Sequence, residues 1–151
     1  MQILSQRRRD DDEVKPLVSV RPGRVLLAED DPELRSLIAM VLRRRAFQVE
    51  VARDGSEALE RLASAVLGRP PGRGPDLLIT DHRMPKFDGL DVIEALRLVG
   101  VRTPIILITA FGDAATHARA EALGVSAVLD KPFDLNDLLS LAERATSGYW
   151  L

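Results

Sequence analysis

The chain of 151 residues contains no cysteine, which excludes disulfides and thiolate metal sites. No sign of charge dominates. Twenty-one lysines and arginines stand against 23 aspartates and glutamates, for a net charge of -2, so the basic surface that non-specific nucleic-acid binding needs is missing. No apolar run approaches bilayer-spanning length, and the N-terminus lacks the apolar stretch of a secretory signal. Histidine is scarce as well. His82 and His117 are the only two; neither has a metal-ligand partner at useful spacing, and both are expected to face solvent. About half of the chain is apolar, enough to fill the core of one domain. The expectation is a soluble cytoplasmic protein that binds neither nucleic acid nor membrane.

Residues 1–22 read as a flexible tail: Arg7, Arg8 and Arg9 run straight into Asp10, Asp11, Asp12 and Glu13, with no apolar periodicity. From Arg24 onward, short apolar runs alternate with amphipathic stretches. Val25–Ala28 has strand character. Asp31 then caps a helix with Pro32 at its first position and Leu34, Leu37, Ile38, Val41 and Leu42 on one face. Arg43, Arg44 and Arg45 close it, where cations suit the helix dipole. Val49 and Val51 mark a second strand. Asp54 and Glu57 open a second helix carrying Leu59, Leu62, Ala63 and Val66.

Gly68 to Pro75 is a loop by composition. A third strand follows over Asp76–Thr80, then a helix marked by Leu90, Ile93 and Leu96, and then the apolar strand Pro104–Thr109. Asp113–Leu123 is an alanine-rich helix stopped by Gly124. Ala127–Leu129 is a fifth strand, and Asp134 caps a last helix bearing Leu135, Leu138, Leu139 and Ala142. Five strands alternating with five helices predict an α/β fold: a doubly wound parallel sheet covered on both faces.

The polar residues at the strand ends carry the chemistry. Glu29 and Asp30 follow the first strand, Asp81 the third and Lys131 the fifth, while Thr109 ends the fourth. In a doubly wound sheet these ends line one crevice. Each residue alone has an ordinary explanation as a cap or surface charge, but their joint placement does not. Three converging carboxylates repel unless a cation compensates. Oxygen ligands of this kind suit Mg²⁺, and a nearby lysine supplies a point charge for a phosphate. The inventory points to phosphoryl transfer onto a carboxylate.

Glu29-Asp30, the run Asp81-His82-Arg83-Met84-Pro85-Lys86-Phe87-Asp88-Gly89, Thr109-Ala110 and Lys131-Pro132-Phe133 together resemble the receiver domain of two-component response regulators. The resemblance spans Arg24 to about Ala145. It implies a flavodoxin-like strand order of 2-1-3-4-5, with the receiver over residues 23–146 and a short tail over 147–151. It also implies that Asp81 is the phosphoacceptor, that Asp30 binds Mg²⁺ directly and Glu29 largely through water, and that the backbone carbonyl of Arg83 completes the protein's share of the metal shell. Thr109 would hydrogen-bond the phosphoryl group and Lys131 would pair with it, behind a cis Lys131–Pro132 bond. Asp31 and Asp88 read as helix caps. Arg83 and Phe111 would flank the phosphate; neither can orient water, so slow self-dephosphorylation is expected.

The implied partners are a sensor histidine kinase or phosphotransfer protein and a downstream protein or output domain, with a homodimer allowed. Two departures stand out. The Gly68–Pro75 loop is longer than usual, and Val128 stands where relatives place an aromatic residue of their switch, which puts the usual readout in doubt. Two other readings compete. A Mg²⁺-dependent phosphatase of the haloacid-dehalogenase kind would need an aspartate where Arg83 stands. A non-phosphorylated interaction module would not need the full acidic set. No output domain is recognisable after Ala145, so a stand-alone receiver and a piece of a larger regulator or hybrid kinase both stay open.

Overall fold

A computed structural model describes residues 22–67, 74–110 and 113–147. Most of the expected tails, residues 68–73 of the Gly68–Pro75 loop, Phe111 and Gly112 lie outside the described residues. Five strands are present: β1 (Arg24–Ala28), β2 (Gln48–Ala52), β3 (Leu77–Asp81), β4 (Ile105–Thr109) and β5 (Ala127–Asp130). They alternate with α1 (Pro32–Arg44), α2 (Gly55–Leu67), α3 (Gly89–Leu98), α4 (Ala114–Ala122) and α5 (Leu135–Ser147). All neighbours in the sheet are parallel, in the order β2-β1-β3-β4-β5. The central strands β3 and β4 are buried along their whole length, as a parallel sheet covered on both faces requires.

Side-chain alternation divides the core in two. Val25, Leu27, Leu77, Ile79, Ile106 and Ile108 face Ile38 and Leu42 of α1 and Leu138 and Ala142 of α5. Leu26, Ala28, Leu78, Ile105 and Leu107 face Ala58 and Leu62 of α2, Leu90, Ile93 and Leu96 of α3 and Ala120 of α4. Each face therefore carries its own apolar layer, which is the physical content of double winding. The helical faces are rotated slightly from the sequence expectation. In α1 the buried set is Ile38, Ala39 and Leu42, while Leu37 is 40 % exposed. In α2, Ala58 is buried and Ala63 lies on the exposed side.

The caps follow the sequence. Asp31 accepts from the amides of Glu33 and Leu34. Asp88 and Asp91 form a reciprocal capping box at α3. Asp113 caps α4 through the Thr116 amide and hydroxyl. Gly124 ends that helix region at φ +75°. Helix α4 buries only Thr116 and Ala120, so polar links hold it. Arg97 donates to the carbonyls of Leu123 and Gly124, and His117 Nε2 lies 2.7 Å from Asp130 Oδ1.

Gly89 opens α3 directly against the end of β3. A Cβ there would run into the Asp81 carbonyl oxygen and come within 3.2 Å of the His82 Cα. Gly89→Ala is therefore expected to cost about 2 kcal/mol or more through overpacking against backbone. Gly124→Ala, which has open space but a left-handed φ, should cost only about 1 kcal/mol. Urea unfolding of both variants checks this; an equal or smaller loss for Gly89→Ala contradicts it.

Candidate functional site

The sheet register decides which residues meet. Ala28 is paired with Thr80, so Glu29 comes level with Asp81. Asp81 pairs with Ile108 and Thr109 with Asp130, which puts Thr109 one step and Lys131 two steps further on. The Lys131 amide donates to the Thr109 carbonyl at 2.8 Å, and the Lys131–Pro132 peptide is cis. The structure thus brings Glu29, Asp30, Asp81, Thr109 and Lys131 to the same edge of the sheet. Arg83 lies on the exposed loop two residues after Asp81.

The charges are unbalanced. Glu29, Asp30 and Asp81 each offer a carboxylate oxygen within 4.8 Å of the others. Among the described residues one ammonium lies against them, with Lys131 Nζ 2.9 Å from Asp81 Oδ1. Glu29 is 1 % exposed and Asp81 4 %. One Glu29 oxygen accepts from the Asp31 amide at 3.1 Å; the other, Oε1, is buried without a partner. Arg35 donates to the Glu29 carbonyl at 2.9 Å and fixes the backbone behind it.

Burial pushes the Glu29 carboxyl up to about 7, and the Asp81 charge adds to the rise while the Asp31 amide and Lys131 oppose it. Burial also raises Asp81, against the pull of Lys131. At Lys131 burial works against the charge, but the bond to Asp81 and the three surrounding carboxylates outweigh it and raise the ammonium's pKa. The cluster is short of positive charge. An all-oxygen donor set of Glu29, Asp30 and Asp81 with an orphaned buried oxygen fits a small hard cation such as Mg²⁺.

The histidines depart from expectation. His82 is buried, 8 % exposed. It continues the alternation of β3 one residue past the strand end, which turns its ring inward beside Thr109. His117 is half-exposed and paired with Asp130. The signal for His82 was its position directly after a fully buried strand. Val128 is partly buried and packs against the α2–α4 layer.

Because the folded chain holds the Glu29 proton where an unfolded glutamate has lost it, this group's effect on stability runs opposite to the common carboxylate case. Its penalty is absent below the ordinary value of 4.5 and complete above about 7. In EDTA, the Glu29 contribution should lower the urea midpoint between about pH 4.5 and about pH 7, and Glu29→Gln should remove that contribution. The same slope in both proteins would contradict the assignment.

Comparison with known proteins agrees with this architecture. A family model described as the response regulator receiver domain matches residues 25–143. The transcriptional regulatory protein CpxR of Escherichia coli is 37 % identical over 118 residues, covering 78 % of this chain and 47 % of CpxR. PdtaR of Mycobacterium tuberculosis, also named a transcriptional regulatory protein, is 37 % identical over 129 residues, covering 85 % of this chain and 58 % of PdtaR. Among solved structures, the non-phosphorylated HemR receiver domain of Leptospira biflexa superposes with a TM-score of 0.71 at 32 % identity, over 84 % of this chain and 95 % of that one. The chain spans about half the length of the curated relatives it matches. It belongs to the receiver domain family of two-component response regulators.

Proposed function

We propose that this chain is a phosphorylation-dependent signalling switch that accepts one phosphoryl group on Asp81 from a phosphohistidine donor, in a reaction that needs Mg²⁺. The observation that carries the reading is the Lys131–Asp81 contact at 2.9 Å inside a cluster of three carboxylates with an unpartnered Glu29 oxygen. Asp30, Asp81 and the Arg83 carbonyl would hold the metal, with Glu29 acting through water. When bound, Mg²⁺ supplies the positive charge that neutralises phosphoryl oxygens in transfer.

The side chains have distinct tasks. An Asp81 oxygen attacks phosphorus as the bond from phosphorus to the donor imidazole nitrogen breaks, and that nitrogen keeps the electron pair. Burial makes the Asp81 carboxylate more basic than an exposed one, which favours a nucleophile. Lys131 keeps it ionised beforehand and then pairs with the phosphoryl oxygens. The Thr109 hydroxyl, 1 % exposed at the end of β4, donates to the same group.

The partners in this reading are a sensor histidine kinase or phosphotransfer protein and a downstream protein or output domain. The chain assists only its own phosphorylation and dephosphorylation and turns over no other substrate. No described helix is long and apolar enough to cross a membrane, and a cytoplasmic setting belongs to the proposal.

Incubation with acetyl phosphate and Mg²⁺, followed by intact mass measurement, tests the assignment. The unchanged protein should gain a single phosphoryl adduct and Asp81→Asn none. Asp30→Ala should lose the dependence on Mg²⁺ together with nearly all phosphorylation. An adduct that persists in Asp81→Asn, or none in the unchanged protein, would sink the reading.

A further inference from the structure

His82 has no part in the function argued so far, yet it touches the site. Asp81 pairs with Ile108 across the sheet, so His82 comes level with Thr109. Its amide donates to the Ile108 carbonyl at 2.8 Å, and its own carbonyl accepts from the Gly89 amide at 2.7 Å. Both bonds fix the backbone from which the ring projects. His82 shares the alternation of Leu78, as Thr109 shares that of Ile105 and Leu107, so both side chains fall on the α2–α4 side of the sheet. There His82 Nδ1 lies 3.5 Å from Thr109 Oγ1, and Nε2 lies 3.8 Å from Asp88 Oδ2.

A neutral imidazole has one N–H and one lone pair. A carboxylate facing Nε2 favours the proton there, which leaves Nδ1 as the acceptor. The Thr109 hydroxyl has one proton to give. Any phosphoryl group on Asp81 presents only acceptor oxygens toward it. One donor thus faces two acceptors.

We propose that His82 is a positioning residue that holds the Thr109 hydroxyl on its Nδ1 in the unphosphorylated protein and competes with the phosphoryl group for that single proton. The inference rests on Asp81 being the acceptor. His82 then sets the resting state of Thr109 and lowers the gain that the phosphorylated state draws from it. Replacing the ring by an apolar side chain leaves the buried hydroxyl unpaired in the resting protein but satisfied in the phosphorylated one, which favours the latter.

The test uses beryllofluoride with Mg²⁺ as the phosphoryl probe, titrated into the full chain at about pH 8 and followed by ¹⁹F NMR. His82→Leu is expected to bind about two- to tenfold more tightly than the unchanged protein, the range that one net hydrogen bond spans. His82→Asn, which restores an acceptor near the Nδ1 position, should return close to the unchanged value. In the unchanged protein, ¹⁵N spectra of the imidazole should give Nε2 protonated and Nδ1 bare, with the Nδ1 signal moving when the probe binds.

Absence of any beryllofluoride binding to the unchanged protein overturns the acceptor reading itself. Binding that His82→Leu leaves equal or weaker overturns only the role of His82, as does equal tightening by Leu and Asn. If His82→Leu does not fold, the tautomer decides: a proton on Nδ1 overturns the proposal, while a bare Nδ1 that responds to the probe supports it.

Discussion

Three carboxylates meeting one ammonium at the end of a buried parallel sheet is the constraint from which the other features of this protein follow. Lys131 contacts Asp81 at 2.9 Å and acts on Glu29 and Asp30 only through space, so one described cation is shared among three carboxylates. Removing carboxylates from water without partners is costly, and the group yields by holding its proton. Glu29 does so, pushed up to about 7 by its burial. A site in this condition favours a cation that replaces the missing charge, and under the proposed function a phosphoryl group would enter only once that cation and Lys131 are in place.

The scaffold exists to hold that deficit in position. Two separate apolar layers clamp β1, β3 and β4 from opposite sides, and a packed interior does not yield by fractions of an ångström without cost. The register then delivers the polar residues within a step or two of the ends of their strands, Glu29 directly after Ala28 and Thr109 directly after Ile108. Gly89 and the Asp88 cap turn the chain away immediately behind Asp81. Helix α4, with two small buried residues and its polar ties to Arg97 and Asp130, has the least packing to lose and is the element best able to shift. Elements with few buried apolar contacts open at lowest free energy.

Much of this was legible in the sequence. Apolar runs such as Ile105–Thr109, capping aspartates and the glycine after α4 mark the elements with their own local chemistry, and a parallel sheet forces the strand ends together. The helical faces were harder. Leu37 looks like a core residue by spacing, but the buried stripe of α1 is set by Ile38, Ala39 and Leu42, and spacing alone does not say where a stripe is centred. His82 departs from its sequence expectation for a sharper reason. Polarity suggests solvent, whereas the alternation of a fully buried strand continues past its last residue and turns the ring inward. Only the register with β4 reveals that the residue opposite it is Thr109.

The charge deficit can be measured without any phosphoryl chemistry. Mg²⁺ binding, followed by calorimetry in buffers of different ionisation enthalpy, counts the protons released as the metal enters. If Glu29 holds a proton in the metal-free protein, binding at about pH 6.5 should release a substantial fraction of one proton, and that release should fade by about pH 8.5. Mg²⁺ that binds with no proton released at either pH, or that fails to bind at all, would contradict the account.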